Sequence, residues 1–220
     1  MTGFADRRDA GRQLAQALLE MKLADPVVLA LPRGGVPVAV EVAAALHAPL
    51  DVVLVRKIGA PGQRELAVAA VAEGPGGLVL DLETMAATGA TPAYVEHEAT
   101  RERAENTRRR AAYLGGRAAL PIEGKTAVVV DDGIATGTSV RAALRALRAR
   151  RPARLVLAVP VAPPGAVAEL RPLVDDLVCL SQPPYFYAVG AHYADFRQVS
   201  DDEVIAALQA AQAAHRRAAH

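Results

Sequence analysis

Short apolar runs of strand length punctuate the chain at Val27–Leu31, Val52–Val55, Leu66–Val71, Leu78–Leu80, Ala127–Val130, Leu155–Val159 and Leu177–Leu180. Several are continuous rather than alternating, the pattern of strands covered on both faces. Between them, apolar positions recur at helical spacing, most clearly over Arg7–Met21, Val36–Leu46, Ser139–Arg150 and Ala166–Arg171. Ser200 and Glu203 in SDDEVIAAL form a capping box that predicts a further helix. Strands that alternate with helices predict an α/β fold: a mostly parallel central sheet flanked by helices. No repeat and no linker interrupts the pattern, so residues 1–220 read as a single domain.

Residues 81–124 depart from the alternation and read as a helical insertion. Within them, Thr91 followed by Pro92 is a helix start, and Glu105 is spaced to pair with Arg108 and Arg109. The apolar face of TPAYVEHEATRERAENTRRRAAYL is thin. It reads first as a solvated surface helix. The alternative is a lid or dimer element that brings arginine near the active site, with the dimer role second to the surface helix, on the ground that Tyr94, Val95, Tyr113 and Leu114 would find little to pack on in their own domain.

Composition narrows the classes. In 220 residues, just over half are apolar (52%), enough for a sizeable core and unlike a disordered chain. No apolar run approaches the roughly 18 residues of a membrane span, and the N-terminal stretch lacks the apolar core of a signal peptide. Cys179 is the sole cysteine, which excludes a disulfide framework or thiolate metal cluster within one chain. These features predict a cytoplasmic protein. The net charge of +1 gives no field for nucleic acid. His47, His97, His192, His215 and His220 show no metal-ligand spacing.

The least ordinary stretch is VVVDDGIATGTSVRAAL, residues 128–144. An apolar strand runs into two carboxylates, then a loop of small hydroxyl residues, then a helix. Open parallel sheets bind ligands beyond the carboxyl ends of their strands. Free N–H groups at a helix start favour a phosphate, Gly137 allows close approach, and Thr136, Thr138 and Ser139 add hydroxyls. Two acids beside a phosphate cradle make sense if they face vicinal sugar hydroxyls, with Mg²⁺ nearby. The ligand read from these residues is a sugar phosphate. The bland alternative is an Asp-Asp-Gly turn before a helix capped by Thr138 or Ser139. Other phosphate motifs are absent: there is no G-x-x-x-x-G-K-[ST] and no G-x-G-x-x-G after the first strand.

VVVDDGIATGTS resembles the phosphoribosyl-pyrophosphate (PRPP) motif of type I phosphoribosyltransferases, with Gly133 in place of the usual apolar residue. Two further segments fit the resemblance. LALPRGGVPVAVEVAAAL (29–46) is similar to the family's pyrophosphate loop, and it independently pairs Arg33 with the anion-accessible backbone of Gly34 and Gly35. VLVRKIGAPGQRELAVAAVAEG (53–74) is similar to the RKxGxPG segment of adenine phosphoribosyltransferases. That similarity implies that Arg56 and Lys57 face the pyrophosphate, that residues 59–65 form a flexible flap, and that Glu73 touches base or ribose. PPYFYAVGAHYADF resembles the hood of 6-oxopurine enzymes. It implies a small C-terminal hood at 181–197, with Phe186 or Tyr187 stacking on the base.

The resemblance implies Mg²⁺-dependent transfer of the 5-phosphoribosyl group from PRPP to a nitrogenous base of purine or pyrimidine type, releasing pyrophosphate. Ala135, Thr136, Gly137, Thr138 and Ser139 would hold the 5-phosphate. Asp131 and Asp132 would orient the ribose, directly or through Mg²⁺. Arg33, Gly34, Gly35, Arg56 and Lys57 would receive the pyrophosphate. It further implies a non-proline cis peptide at Pro32–Arg33 or Arg33–Gly34, and a homodimer. Ala135 is adenine- or uracil-like whereas the hood is oxopurine-like, so the acceptor stays open. The rival class is a non-catalytic PRPP-binding regulator, although no helix-turn-helix is found and nucleic acid is not expected as a partner.

Overall fold

A computed structural model describes residues 3–74 and 76–218. In chain order the elements are α1 (Arg7–Glu20), β1 (Pro26–Ala30), α2 (Gly35–Ala45), β2 (Leu50–Val52), β3 (Val55–Ala60), β4 (Gln63–Ala72), β5 (Leu78–Leu80), α3 (Leu82–Thr88) and α4 (Pro92–Leu114). They continue with β6 (Thr126–Val130), α5 (Thr138–Arg148), β7 (Arg154–Val161), α6 (Pro164–Leu170), β8 (Asp176–Ser181) and α7 (Asp201–Ala218).

Five strands form a wholly parallel sheet in the order β2-β1-β6-β7-β8. The continuous apolar runs have the predicted cause, because both faces are covered. On one side Val28, Val128 and Val156 lie under α1, α2 and α7 through Leu14, Leu18, Val38, Val42, Val204 and Leu208. On the other, Leu29, Val129 and Leu157 lie under α5 and α6 through Val140, Leu144, Leu147 and Leu170. Adjacent residues of one strand thus serve opposite cores.

The run Val52–Val55 is not one strand. It divides at Val53–Leu54, leaving β2 on the parallel sheet and β3 in a separate antiparallel sheet ordered β3-β4-β5. That second sheet packs its Ala70, Ala72 and Val79 on Ala142 and Ala146 of α5. Its other side takes α3 and α4 through Met85, Val95 and Ala99. Small residues on α5 let the helix serve both sheets.

Two expectations are corrected. Residues 59–65 build regular structure: they close the β3–β4 hairpin, with Gly62 in the left-handed region (φ 74°) and a register shift at Gly59. A side chain at Gly59 would collide with the Arg64 backbone, so the bulge depends on glycine. The long helix of 91–114 is also not loosely attached. Val95 is 1% and Tyr113 2% exposed, and the Tyr94 hydroxyl donates to the Gly59 carbonyl at 2.9 Å. Its apolar residues therefore need no second chain to pack on.

Candidate active site

β1 and β6 are neighbours in register, so the loops leaving their carboxyl ends lie side by side. After Leu31, whose N–H donates to the Val130 carbonyl, the chain passes a cis Pro32–Arg33 peptide into Gly34 and Gly35. One of the two expected positions is thus the cis bond. A side chain at Gly34 would run into the Asp132 carboxylate. One at Gly35 would sit 2.8 Å from the Val130 carbonyl oxygen and 3.0 Å from Asp131 Cα. Glycine here is a condition for the two loops to touch.

Asp131 and Asp132 leave β6 directly. Asp132 N donates to Asp131 Oδ1 at 2.8 Å. Removal from water, and then the charge of Asp132, holds the Asp131 carboxyl well above the usual carboxylate range. Asp132 is clasped from two sides. Arg7 Nε donates to its Oδ2 at 2.7 Å, and the Tyr193 hydroxyl donates to its backbone carbonyl. Burial pushes the Tyr193 hydroxyl up, which keeps it a donor. Arg7 also donates to the Arg197 carbonyl at 2.8 Å and lies 3.8 Å over the Phe196 ring. Phe4 bridges Tyr193 as a short parallel pair. The start of α1 is thereby stitched to the hood across the acid pair.

The loop after Asp132 enters α5 through Gly137, in the left-handed region (φ 74°), with no side-chain hydrogen bond capping the helix. α5 begins at Thr138 itself, so the reading of Thr138 or Ser139 as a mere cap is not what the fold contains. The first-turn N–H groups lack a side-chain acceptor, and the Thr136 and Thr138 hydroxyl oxygens stand 3.5 Å apart beside them. This is the anion-receiving geometry of a helix start.

The other candidate residues are placed less centrally. Arg33 Nη1 is 3.9 Å from Asp201 Oδ1 of α7. Arg56 Nε donates to Glu102 Oε2 of α4 at 2.6 Å, and Lys57 is exposed beside it. Glu73 is bound into a different network: it accepts from Leu54 N at 2.8 Å and from Arg110, which also clamps buried Asp51 with two 2.8 Å bonds. Glu73 lines a cleft of about 490 Å³ with Arg110, Arg117 and Arg150. Burial raises its carboxyl above its ordinary 4.5 despite Arg110. Phe186 stacks on His192 at 5.3 Å, while Tyr187 is 96% exposed. A cleft of about 520 Å³ lies between the start of α1, α2 and α7, lined by Arg7, Val36, Pro37 and Arg197; Asp131 and Asp132 do not line it.

Sequence reasoning missed Arg7, because nothing local distinguishes a site arginine from a surface one in a polar helix, and it read Asp201 only as part of a helix start. Tyr193 stands in the sequence only as one of five aromatic residues in PPYFYAVGAHYADF. Two adjacent carboxylates suit Mg²⁺ only in a set completed by substrate oxygens. Among the described residues, no group of three or more His, Cys, Asp and Glu side chains could hold an ion by itself. The residues fit a metal that arrives with a polyphosphate.

Comparison with known proteins gives a consistent result. The profile of the phosphoribosyl transferase domain family matches residues 6–189. Two Mycobacterium tuberculosis proteins, from strains CDC 1551 and H37Rv, each provisionally named a phosphoribosyl transferase, are 47% identical over 94% of this chain. The chain spans about half the length (47%) of these curated relatives. The crystal structure of TT1426 from Thermus thermophilus is 49% identical, covers 94% of this chain and 97% of its own, and superposes with a TM-score of 0.79.

Proposed function

The chain belongs to the phosphoribosyl transferase domain family, and on that premise we propose that it is an enzyme transferring the 5-phosphoribosyl group of PRPP to a ring nitrogen of a nucleobase-like acceptor. The bond from ribose C1 to the pyrophosphate oxygen breaks, a bond from C1 to the acceptor nitrogen forms, and the acceptor nitrogen gives up its proton. The observation that carries this reading is the contact between two loops, Gly34–Gly35 against Asp131–Asp132, beside an uncapped α5. One loop suits a pyrophosphate and the helix start suits a 5-phosphate, with the acids between them for the sugar.

Positive charge gathers on the sugar as the pyrophosphate departs, so the protein's task is alignment and neutralisation rather than covalent chemistry. Thr136, Thr138, Ser139 and the backbone of Gly137 fix the 5-phosphate, with Ala135 at the loop's entry. Asp131 and Asp132 accept from the ribose hydroxyls. Arg7 and Tyr193 hold Asp132 in that orientation. Mg²⁺, held by Asp131 and Asp132 together with donor oxygens, would offset the charge of the leaving group. Arg33 and the Gly34 N–H take the pyrophosphate; the Gly35 N–H, expected to join them, is already given to the Leu31 carbonyl at 3.1 Å. Arg56 and Lys57 reach it only if the hairpin folds over, with Arg56 leaving Glu102. Phe186 and Tyr187 offer aromatic faces to the acceptor. Glu73 is better read as a support for β2 and Leu54 than as a group on the substrate.

The reading includes a cytoplasmic protein and a two-fold dimer. Among the described residues Leu19, Leu66, Leu80 and Leu82 are exposed aliphatic side chains, and we assign the dimer to the last three, on and beside the antiparallel sheet. No helix among the described residues is long and apolar enough to cross a membrane. The test is pyrophosphate release from PRPP and Mg²⁺, screened across purine and pyrimidine bases, nicotinate and small amines. Release with one acceptor class supports the enzyme. PRPP binding without release for any acceptor would favour a PRPP-sensing regulator instead.

A further inference from the structure

Asp201 stands at the first position of α7, where a capping box is already complete: Glu203 N donates to Ser200 Oγ at 3.2 Å, and Ser200 N donates to Glu203 Oε2 at 2.8 Å. The Asp201 side chain is therefore not needed as the cap. It meets three donors from other elements instead. Arg109 Nη2 of α4 donates to Oδ1 at 3.2 Å, the Tyr113 hydroxyl donates to the same oxygen, and Arg33 Nη1 lies 3.9 Å from it.

Two guanidiniums and a phenol converging on one oxygen is a phosphate-receiving set. Both guanidinium nitrogens lie so near one atom that a single pyrophosphate can engage both. Burial and the Asp201 bond push the Tyr113 hydroxyl up to about 12, so it keeps its proton to donate. The carboxylate that fills the set is half-exposed, and can swing into solvent when a stronger anion arrives.

We propose that Arg33, Arg109 and Tyr113 form a pyrophosphate seat, and that Asp201 is a built-in competitor for it. The inference rests on the phosphoribosyl-transfer reading, which brings pyrophosphate to the Arg33 loop. It adds two donors from the 91–114 helix and one opposing carboxylate. Asp201 orders the three donors and weakens the hold on the product, which favours its release.

Isothermal titration of inorganic pyrophosphate with Mg²⁺, and of PRPP with Mg²⁺, into the full chain, Arg109→Gln and Asp201→Asn tests the idea. Arg109→Gln is expected to weaken pyrophosphate about tenfold or more, as loss of a charge-assisted bond does. Asp201→Asn is expected to tighten it, by about threefold or more, since a neutral amide competes less well for two guanidiniums. A gain of affinity cannot come from a damaged fold. If Asp201 were only a staple between α4, α7 and the loop, its loss would weaken binding; if Arg109 took no part in the seat, Arg109→Gln would leave pyrophosphate affinity unchanged. Either of those results overturns the seat, as does unchanged affinity in Asp201→Asn. A parent chain that binds PRPP while the Asp201 variant fails to tighten sinks the seat alone. A parent chain that binds neither ligand sinks the phosphoribosyl-transfer reading with it.

Discussion

Replacing Asp131 and Asp132 together by asparagine should lower PRPP affinity by at least about a hundredfold, because two charged acceptors for ribose hydroxyls are lost. Calorimetric titration reads this directly. Asp131→Asn alone should leave the thermal midpoint no lower, because Asp131 bears its charge against desolvation, whereas Asp132→Asn should lower it by leaving the buried Arg7 guanidinium without its carboxylate. Glu73 offers a contrast with a pH signature. Its carboxyl is raised in the fold, by burial first, so its contribution to stability is full below its ordinary 4.5 and lost as pH rises through the raised value. Glu73→Gln keeps acceptors for Leu54 N and Arg110 without the charge. Its melting midpoint should exceed the parent's at pH 7–8, with the gap closing towards pH 4, and turnover should be retained. A glutamate acting on substrate would instead cost about 10²–10⁴ in rate.

At the scale of elements, α4 is a strut. Asn106, buried in its middle, donates to the carbonyls of Leu54 and Val71 at 3.4 Å each, tying the helix to the point where β2 gives way to β3 and to β4. Asn106→Ala should cost about 1 kcal/mol in urea denaturation, the net worth of a buried side-chain hydrogen bond, since the Leu54 carbonyl keeps the Glu73 N–H at 3.1 Å. The β3–β4 hairpin projects an exposed tip from Pro61 to Leu66. Trypsin should cut at Arg64, and PRPP with Mg²⁺ should slow that cut if the tip closes over the donor. The parallel strands and their helices were legible because burial on both faces writes an unbroken apolar run, and Asp131–Ser139 was legible because strand, acids, loop and helix are contiguous. The break at Val53–Leu54 was not, since one apolar run serves two sheets without a turn residue to mark the change. The support from α4 was hidden for a related reason: its buried face is made of Val95, Ala99, Asn106 and Tyr113, too sparse to show as a stripe.

For the whole molecule, light scattering at micromolar concentration should show a dimer. Substituting charged residues at exposed Leu66, Leu80 and Leu82 should dissociate it, whereas charge on the outer face of α4 should not. The wider pattern is one of charges paired across long stretches of sequence: Arg7 with Asp132, Arg33 and Arg109 with Asp201, Arg56 with Glu102. The clasp on Asp132 reaches across the chain, since Arg7 is made early and Tyr193 late. A polypeptide emerging from the ribosome can assemble all five parallel strands once β8 is out, yet it still lacks the Tyr193 hydroxyl and the Phe4 bridge. Pairing of the strands therefore precedes competence: a nascent chain arrested between Ser181 and Tyr193 should hold its five strands together, with the face under α7 still uncovered, while failing to retain the donor.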